Sequence, residues 1–203
     1  MRLDQELIRR ELAASRNKAQ ELIRAGRVSV NGRIVLKPAE PVTEHVELQV
    51  TGSQWVSRAA IKLLGALDTS AMPVAGRALD AGASTGGFTQ VLLARGAAEV
   101  YAVDVGHDQL APTVRADPRV LVREGLNVRD LTAEDIDGPV DLVVSDLSFI
   151  SLRLVLALLA GVCRPGAELL LMVKPQFEVG RRALPRTGVV TDPDARRDAV
   201  VGV

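Results

Sequence analysis

The sequence predicts an α/β protein in which a Rossmann-like, doubly wound parallel sheet follows a small α+β unit. From Ala75 onward, short apolar runs alternate with segments of helical periodicity, which is typical of parallel strands joined by helical crossovers. A glycine-rich turn separates the first of these strands from the next helix. Before residue 52, two amphipathic segments precede a hairpin pattern instead. Together these observations predict two units of different architecture.

Composition limits the possible classes of function only loosely. The chain has 203 residues, 47% hydrophobic but only 2% aromatic, so the predicted cores consist mainly of Val, Leu, Ala and Ile. Its formal net charge is zero, which argues against a general polyanion binder. Residues 1–64 nevertheless hold eleven Lys and Arg against seven acids. This bias fits nucleic-acid binding, and it fits solvated helix faces equally well.

Cysteine and histidine are scarce, and the N-terminus is charged. One cysteine and two distant histidines argue against a disulfide or a metal site. No apolar run approaches the ~18 residues of a membrane span, and the first residues do not resemble a signal peptide. We therefore expect a cytoplasmic protein with no metal and no membrane span.

The first 50 residues predict two short helices and a small hairpin sheet. Leu3, Leu7 and Leu12 recur at helical spacing, and Ser15 is placed to cap a second helix. Asn31-Gly32 is a turn signal typical of a two-residue β-hairpin.

This segment resembles the small RNA-binding domain named after ribosomal protein S-four. The resemblance rests on Arg2-Leu3-Asp4, Ser15-Arg16, Val30-Asn31-Gly32 and Lys37-Pro38. It implies that basic side chains contact RNA phosphates, which positions RNA without reading its sequence. The candidates are Arg9, Arg10, Arg16, Lys18, Arg27 and Arg33. Solubility alone would also account for any one of them.

A second unit is predicted over residues 57–203, separated by a linker at 53–56 from a first unit at 1–52. Ser57 is expected to cap a helix running from Arg58 to Leu67. Five strands are expected to end near Leu79, Val103, Val122, Val144 and Val173, with helices over 88–95, 108–115 and 151–162 between them. Asp192-Pro193 predicts the start of a last helix.

The stretch from Asp80 to Phe88 combines an acid, a turn of small residues and the start of a helix. Glycines allow a ligand to approach closely, and a helix start offers unpaired N–H groups. A phosphate loop would need a Lys here, and a dinucleotide fingerprint would need Gly where Ser84 stands. The pattern suits S-adenosylmethionine, which has a ribose and a charged amino-acid tail; a turn that uses glycine for packing is the alternative. The candidate cofactor-binding residues in this stretch are Asp80, Gly82, Ser84, Thr85, Gly86, Gly87 and Phe88.

Polar residues follow the other predicted strands. Asp104, about 20 residues after the glycine turn, is placed to accept both ribose hydroxyls of a nucleoside. Asn127 is a candidate contact to adenine, while Asp146 and Lys174 follow strands four and five. A Lys at the end of a buried strand is costly unless it is paired or functional. Lys can also lose its proton in a desolvated site, which Arg effectively cannot.

Across nearly the whole chain these motifs resemble the TlyA family. The resemblance is carried by residues 57–67, Asp80 to Phe88, Asp104-Val105-Gly106, Asp146 to Ile150 and Val173 to Glu178. That family joins the S-four-type domain to an FtsJ-like class I methyltransferase that methylates cytidine ribose 2′-hydroxyls in ribosomal RNA, and some members are called haemolysins. The resemblance implies S-adenosylmethionine as the cofactor and ribosomal RNA or a ribosomal subunit as the partner.

FtsJ-like enzymes carry a Lys-Asp-Lys-Glu tetrad, and Lys62, Asp146 and Lys174 match its first three members. The resemblance implies that Lys174 lies nearest the reacting hydroxyl and that Asp146 orients it. Lys62 favours loss of a proton from Lys174 and Asp146 opposes it, and the sequence leaves the balance open.

The chain departs from the family pattern near its end. A full methyltransferase sheet of this type has two further strands after the fifth, and the Glu of the tetrad lies in that part. Glu178 does not match that position. We therefore expect a truncated methyltransferase whose fifth strand is an exposed edge. Two other functions stay open: a catalytically incomplete RNA- or ribosome-binding protein, and a haemolysin-type membrane activity.

Overall fold

The computed structural model describes residues 1–203 except residues 11, 14, 44, 52–54, 181–183 and 186. It divides into two compact units, Met1–Gln54 and Trp55–Val203, and each has a hydrophobic core of its own. The linker predicted at 53–56 lies partly outside the described residues.

The first unit combines two helices with a small antiparallel sheet. Its elements are α1 (Leu3–Arg9), α2 (Arg16–Arg24), β1 (Val28–Val30), β2 (Arg33–Ile34) and β3 (Leu48–Val50), with the strand order β2-β1-β3. Ser15 Oγ accepts a hydrogen bond from the Lys18 N–H at 3.2 Å, which confirms the predicted cap of α2. Asn31 and Gly32 both have positive φ, which confirms the predicted hairpin turn between β1 and β2.

The second unit is a parallel sheet with the strand order β6-β5-β4-β7-β8, which confirms the predicted doubly wound fold. Its elements are α3 (Ala59–Ser70), β4 (Arg77–Ala81), α4 (Gly87–Arg95), β5 (Glu99–Asp104), α5 (Pro112–Arg115), β6 (Val120–Glu124), β7 (Val140–Ser145), α6 (Leu156–Gly161), β8 (Cys163–Leu171), α7 (Pro175–Glu178) and α8 (Pro193–Val201). The order reverses between β4 and β7, and ligands of such sheets bind where it reverses.

Successive strand residues supply two cores, one on each face of this sheet. Leu79 and Tyr101 are buried in one cluster together with Leu159 of α6. Their strand neighbours Ala78 and Val100 are buried in the other cluster, which includes residues of α3 and α4. This alternation follows from the two-residue period of a strand, and it explains why strands buried on both faces read as continuous apolar runs.

The helix predicted at 58–67 has different bounds and a different cap. It begins at Ala59 and extends to Ser70, and its N-cap position is Arg58, without a side-chain hydrogen bond. The predicted cap by Ser57 is therefore wrong.

Two other predicted helices are too long. The helix expected at 108–115 shrinks to α5, because Asp108 adopts a left-handed φ of 55° and Pro112 opens the helix. The segment 151–162 divides into a 3₁₀ turn (Leu152–Leu154) and α6, because Val155 between them has a φ of −122°.

Candidate active site

The carboxyl ends of β4, β5, β7 and β8 bring the predicted strand-end residues to one edge of the second unit. Asp104 is the last residue of β5, and Asp146 follows β7 directly. Lys174 follows β8, and its Nζ lies 2.6 Å from Asp146 Oδ1. Two segments far apart in sequence therefore meet here, as the parallel topology predicts.

A cleft of about 790 Å³ opens along this edge. Gly82, Ser84, Asp104 and Asn127 line part of it, and Asp146 also forms part of its wall. This volume lies in the range of small-molecule sites, roughly 300–1,000 Å³. A second recess, of about 250 Å³, is lined by residues that include Thr85, Gly87, Phe88 and Lys174.

Asp104 is fastened to the glycine turn by backbone amides. Its Oδ2 accepts a hydrogen bond from the Ser84 N–H at 2.8 Å, and its Oδ1 accepts one from the Gly106 N–H at 2.7 Å. Gly86, the residue before α4, has a φ of 89°, a conformation that glycine adopts without the usual steric cost. Each carboxylate oxygen keeps a further lone pair, so Asp104 can also accept hydrogen bonds from a ligand in the cleft.

Asp80 is more deeply placed than predicted. It lies inside β4, which extends past the predicted strand end at Leu79, and none of its surface is exposed. Its Oδ2 accepts hydrogen bonds from the N–H and the hydroxyl of Thr89, at 2.8 and 2.6 Å. Asp80 thus fastens the start of α4 behind the glycine turn and has no surface to offer a ligand, contrary to its predicted role as a direct contact.

The surroundings of Asp80 strongly disfavour its negative charge. Burial raises the pKa of Asp80 to about 7, and the negative charges of Asp104 and Asp146 add to this effect. The two hydrogen bonds from Thr89 oppose it. Phe88 is only 5% exposed, so it too is mainly a packing residue.

One carboxylate bridges the two lysines of the predicted tetrad. Asp146 Oδ1 contacts Lys174 Nζ, while its Oδ2 lies 3.4 Å from Nζ of Lys62, which projects from α3. The Lys174 side chain is 18% exposed and that of Lys62 is 53% exposed. Lys174 is therefore the more enclosed of the two cations.

The Lys174 ammonium has three oxygen atoms around it. Besides Asp146 Oδ1, these are Ser148 Oγ at 2.8 Å and the Asp146 carbonyl oxygen at 3.3 Å. Because a hydroxyl both donates and accepts, Ser148 can bond to Lys174 in either protonation state. Ser148 is not among the predicted site residues, although its position two residues after Asp146 is a signal.

Phe149, next in the chain, is a second residue of the site that is not among the predicted ones. It is 92% exposed, it has a left-handed φ of 65°, and its ring centroid lies 5.5 Å from that of Phe177. Both rings line the cleft. An exposed aromatic residue is notable in a chain with only three Phe.

The basic residues predicted to contact RNA lie in the first unit, and three of them pair with buried acids. Arg9 and Arg10 donate to Glu6, with Nε–O distances of 2.8 and 2.7 Å. Arg16 donates to Asp4 at 3.2 Å. Asp4 and Glu6 are 0% and 1% exposed. The pairing with these acids could not be predicted, because a sequence pattern does not indicate which charges are buried.

Arg2 shares the Asp4 carboxylate with Arg16. Two of its guanidinium nitrogens lie 2.9 Å from the two Asp4 oxygens, and Gln20 donates to Asp4 as well. The Arg2 hydrogen bonds, more than any other contact, hold the pKa of Asp4 far below its usual value, and burial opposes them. Arg2 and Arg16 nevertheless remain 42% and 56% exposed.

The other three candidates are Lys18, Arg27 and Arg33. Lys18 Nζ lies 3.5 Å from Glu21. Arg33 is exposed on β2, and Arg27 is partly buried.

Comparison with known proteins identifies both units. A family model described as FtsJ-like methyltransferase matches residues 55–203, and one described as S4 domain matches residues 1–48. The chain belongs to the FtsJ-like methyltransferase family. It is thus an enzyme of that family with an S4 domain before the methyltransferase domain.

Individual relatives narrow this assignment. The chain is 55% identical to the 16S/23S rRNA (cytidine-2′-O)-methyltransferase TlyA of Mycobacterium tuberculosis, over 100% of this chain and 77% of that protein. It is 38% identical to Hemolysin A of Brachyspira hyodysenteriae, over 99% of this chain and 85% of that protein. A solved structure from Streptococcus thermophilus that carries the name hemolysin is 36% identical, with a TM-score of 0.74, over 100% of this chain and 75% of that chain. The resemblance to the TlyA family is confirmed.

Proposed function

We propose that this methyltransferase transfers a methyl group from S-adenosylmethionine to the ribose 2′-hydroxyl of a cytidine in ribosomal RNA. The observation that carries the proposal is the contact of Lys174 with Asp146 and Ser148, beside a cleft of suitable size. The name of the relative from Mycobacterium tuberculosis supports the choice of substrate.

The residues of the cleft fit the parts of the proposed cofactor. Asp104 has lone pairs for the ribose hydroxyls, and the glycine turn allows close approach to the amino-acid tail. Leu126 and Val128 on the cleft wall offer apolar surface to adenine, next to Asn127. S-adenosylmethionine supplies a sulfonium methyl group that is already a strong electrophile.

The protein must therefore align a hydroxyl and remove its proton. We assign the removal of this proton to Lys174, because its enclosed amine lines the recess that adjoins the glycine turn. Asp146 fixes its position, and Ser148 offers a hydroxyl that can donate once Lys174 is neutral. Lys62 is the second cation on the same carboxylate.

The protein must also bind the target nucleotide. Phe149 presents an exposed ring at the cleft, on which an unstacked base could lie. In the S4 domain, Arg2 and Arg16 present guanidinium groups that are fixed by Asp4, and such groups suit phosphate contacts.

Two other functions remain candidates for the same chain. RNA binding without methyl transfer is one of them, and the arginine clusters support it because they need no cofactor. A haemolytic activity is suggested only by the names of relatives. In the part of the chain that the structure describes, no helix is both long enough and apolar enough to cross a membrane.

The first test is calorimetric titration of S-adenosylmethionine into the wild type, Asp104→Ala and the control Asp68→Ala. Asp68 is an exposed acid of α3 paired with Arg95, and it does not line the cleft. We expect binding by the wild type and the control, with affinity roughly 10- to 100-fold weaker in Asp104→Ala because charge-assisted hydrogen bonds are lost.

The second test is transfer of labelled methyl groups to 16S and 23S rRNA in ribosomal subunits. Methylation located at a cytidine 2′-hydroxyl supports the proposal. A folded wild type that binds RNA but neither binds S-adenosylmethionine nor transfers methyl groups would contradict it and favour the non-catalytic alternative. Leakage of dye from liposomes would support the haemolytic one.

A further inference from the structure

Two loops carry the lysine–aspartate cluster, and a residue outside the cluster joins them. One loop is the segment Asp146–Leu152 after β7, and the other is Lys174–Glu178, which includes α7. They meet at the Lys174 contacts, at the pair of Phe149 and Phe177, and at Glu178. The cluster thus lies near one end of a longer contact between the two loops.

Glu178 closes the other end of this contact. Its side chain is only 1% exposed. Oε1 accepts a hydrogen bond from the Leu152 N–H at 2.8 Å, and Oε2 accepts one from the Ser151 hydroxyl at 2.5 Å. Arg153 Nε lies 3.8 Å from Oε2 and supplies a compensating positive charge. The carboxylate therefore accepts hydrogen bonds from the donor groups at the start of the 3₁₀ turn at Leu152–Leu154.

The loop between Asp146 and Ser151 needs hydrogen bonds of this kind to hold its backbone conformation. Phe149 holds a left-handed backbone conformation that is unfavourable for a bulky side chain, so the surrounding structure must impose it. Burial of the Phe149 ring cannot be the cause, because the ring is 92% exposed. The hydrogen bonds from Ser151 and Leu152 to Glu178 fix the loop just beyond this residue.

We propose that Glu178 is a positioning residue for the proposed methyl transfer. By fixing Ser151 and Leu152 against α7, it keeps Ser148 and the Asp146 carbonyl within hydrogen-bond distance of Lys174 Nζ. Glu178 does not act on the substrate itself, because its side chain is enclosed. This inference rests on the function proposed for the Lys174 cluster.

Two substitutions of Glu178 separate positioning from general stability. Glu178→Ala removes both hydrogen bonds. Glu178→Gln retains an acceptor for the Leu152 N–H, and its amide can donate to Ser151 Oγ instead. Glu168→Ala, at an exposed acid of β8, is the control. The measurements are kcat and KM for methyl transfer to ribosomal RNA, affinity for S-adenosylmethionine, and hydrogen exchange of the segment 147–155.

We expect Glu178→Ala to lower kcat roughly 10- to 100-fold, as loss of correct geometry does. Affinity for S-adenosylmethionine should stay within about twofold, because Asp104 and the glycine turn are unchanged. Exchange over 147–155 should accelerate. Glu178→Gln should restore most of kcat and slow exchange, and Glu168→Ala should match the wild type. A merely structural role would lower stability and cofactor affinity together, with no selective loss of kcat.

Unchanged kcat and unchanged exchange in Glu178→Ala would overturn the inference, as would equal damage in Glu178→Gln. If the wild type transfers no methyl group, the proposed function fails, and exchange alone decides the positioning role: acceleration in the Ala variant but not in the Gln variant supports it, and no difference overturns it. If Glu178→Ala does not fold, Ser151→Ala takes its place, with a smaller expected loss of kcat because one of the two hydrogen bonds remains.

Discussion

Each unit contains an enclosed carboxylate in contact with two cations, but the cations differ. In the first unit Asp4 contacts Arg2 and Arg16. In the second unit Asp146 contacts Lys62 and Lys174. Arg keeps its charge at every physiological pH and grips a carboxylate through two N–H groups, whereas Lys can lose its proton. The same arrangement of charges therefore suits a fixed binding surface in one unit and proton transfer in the other.

The two clusters also face solvent differently. Asp4 has no exposed surface while Arg16 is 56% exposed, so the acid lies beneath its partners. In the second cluster Lys174 is 18% exposed and Asp146 is 16% exposed, so this pair is enclosed, and only Lys62, at 53%, is nearly as exposed as Arg16. In the first cluster the negative charge is buried and the positive charges are exposed, so the surface is positive although the net charge of the unit is modest. Such a surface suits the phosphate backbone of a nucleic acid.

Removing the amine from the second cluster should have the largest effect. We expect Lys174→Ala to slow methyl transfer roughly 100- to 10,000-fold, the range that general acid–base groups contribute. Affinity for S-adenosylmethionine should change little, because Asp104 lies on another strand. Single-turnover assays and calorimetry measure the two quantities. A loss of activity smaller than about tenfold would remove proton transfer from the role of Lys174.

Glu6 in the first unit and Asp80 in the second should make contributions to stability that change with pH in opposite directions. Hydrogen bonds from Arg9 and Arg10 lower the pKa of Glu6 from 4.5 to about 2, so its contribution to folding is lost as the pH falls through this window. For Asp80 the pKa is raised from 3.8 to about 7, so its contribution is lost as the pH rises from about 4 to about 7.

Asp80→Asn tests this second effect, because Asn resembles the protonated acid at every pH. Relative to the wild type, the free energy of unfolding of the variant should rise between pH 4 and pH 7, by at most on the order of 4 kcal/mol. Urea unfolding followed by the fluorescence of Trp55, which packs in the second unit, measures it. A difference that does not depend on pH would mean that Asp80 titrates normally.

Removing the acid of the first cluster should have a smaller effect on stability. Asp4→Ala leaves Arg2, Arg16 and Gln20 without their shared acceptor, and we expect a loss of about 1–3 kcal/mol in the unfolding free energy of the first unit. The exposure of both arginines limits the loss. Urea unfolding followed by circular dichroism tests this, with Glu47→Ala, an exposed acid, as the control. A loss no greater than that of the control would show that the cluster does not stabilise this unit.

The smallest expected effect is that of Arg16→Ala on RNA binding. One phosphate contact should cost roughly three- to tenfold in affinity and lower the slope of log K against log salt by about 1. Arg24→Ala, at an exposed residue of α2 bonded to Gln20, is the matched control. An unchanged salt slope in Arg16→Ala would assign Arg16 to folding alone.

Much of the fold could be predicted because strand and turn signals are local. The parallel sheet, the hairpin at Asn31-Gly32 and the cap at Ser15 follow from periodicity and turn chemistry. Helix ends were less predictable, since the left-handed backbone at Asp108 and the irregular Val155 leave no clear sequence signal.

The candidate site could be predicted where topology alone brings residues together. Parallel strands must place Asp104, Asp146 and Lys174 at one edge, and they do. The burial of Asp80 was not predictable, because it depends on β4 extending past Leu79. The hydrogen bonds accepted by Glu178 were not predictable either, because they join loops whose paths depend on tertiary packing.

The most direct test of the comparison is a pair of charge-conserving exchanges, Lys174→Arg and Arg16→Lys, assayed for methyl transfer to ribosomal RNA. Both keep the charge, but only the first removes a group that can give up its proton. The account predicts a loss of at least about 100-fold in Lys174→Arg, with S-adenosylmethionine still bound, and less than about fivefold in Arg16→Lys. Near-normal transfer by Lys174→Arg would contradict it, because Lys174 would then act through its charge alone.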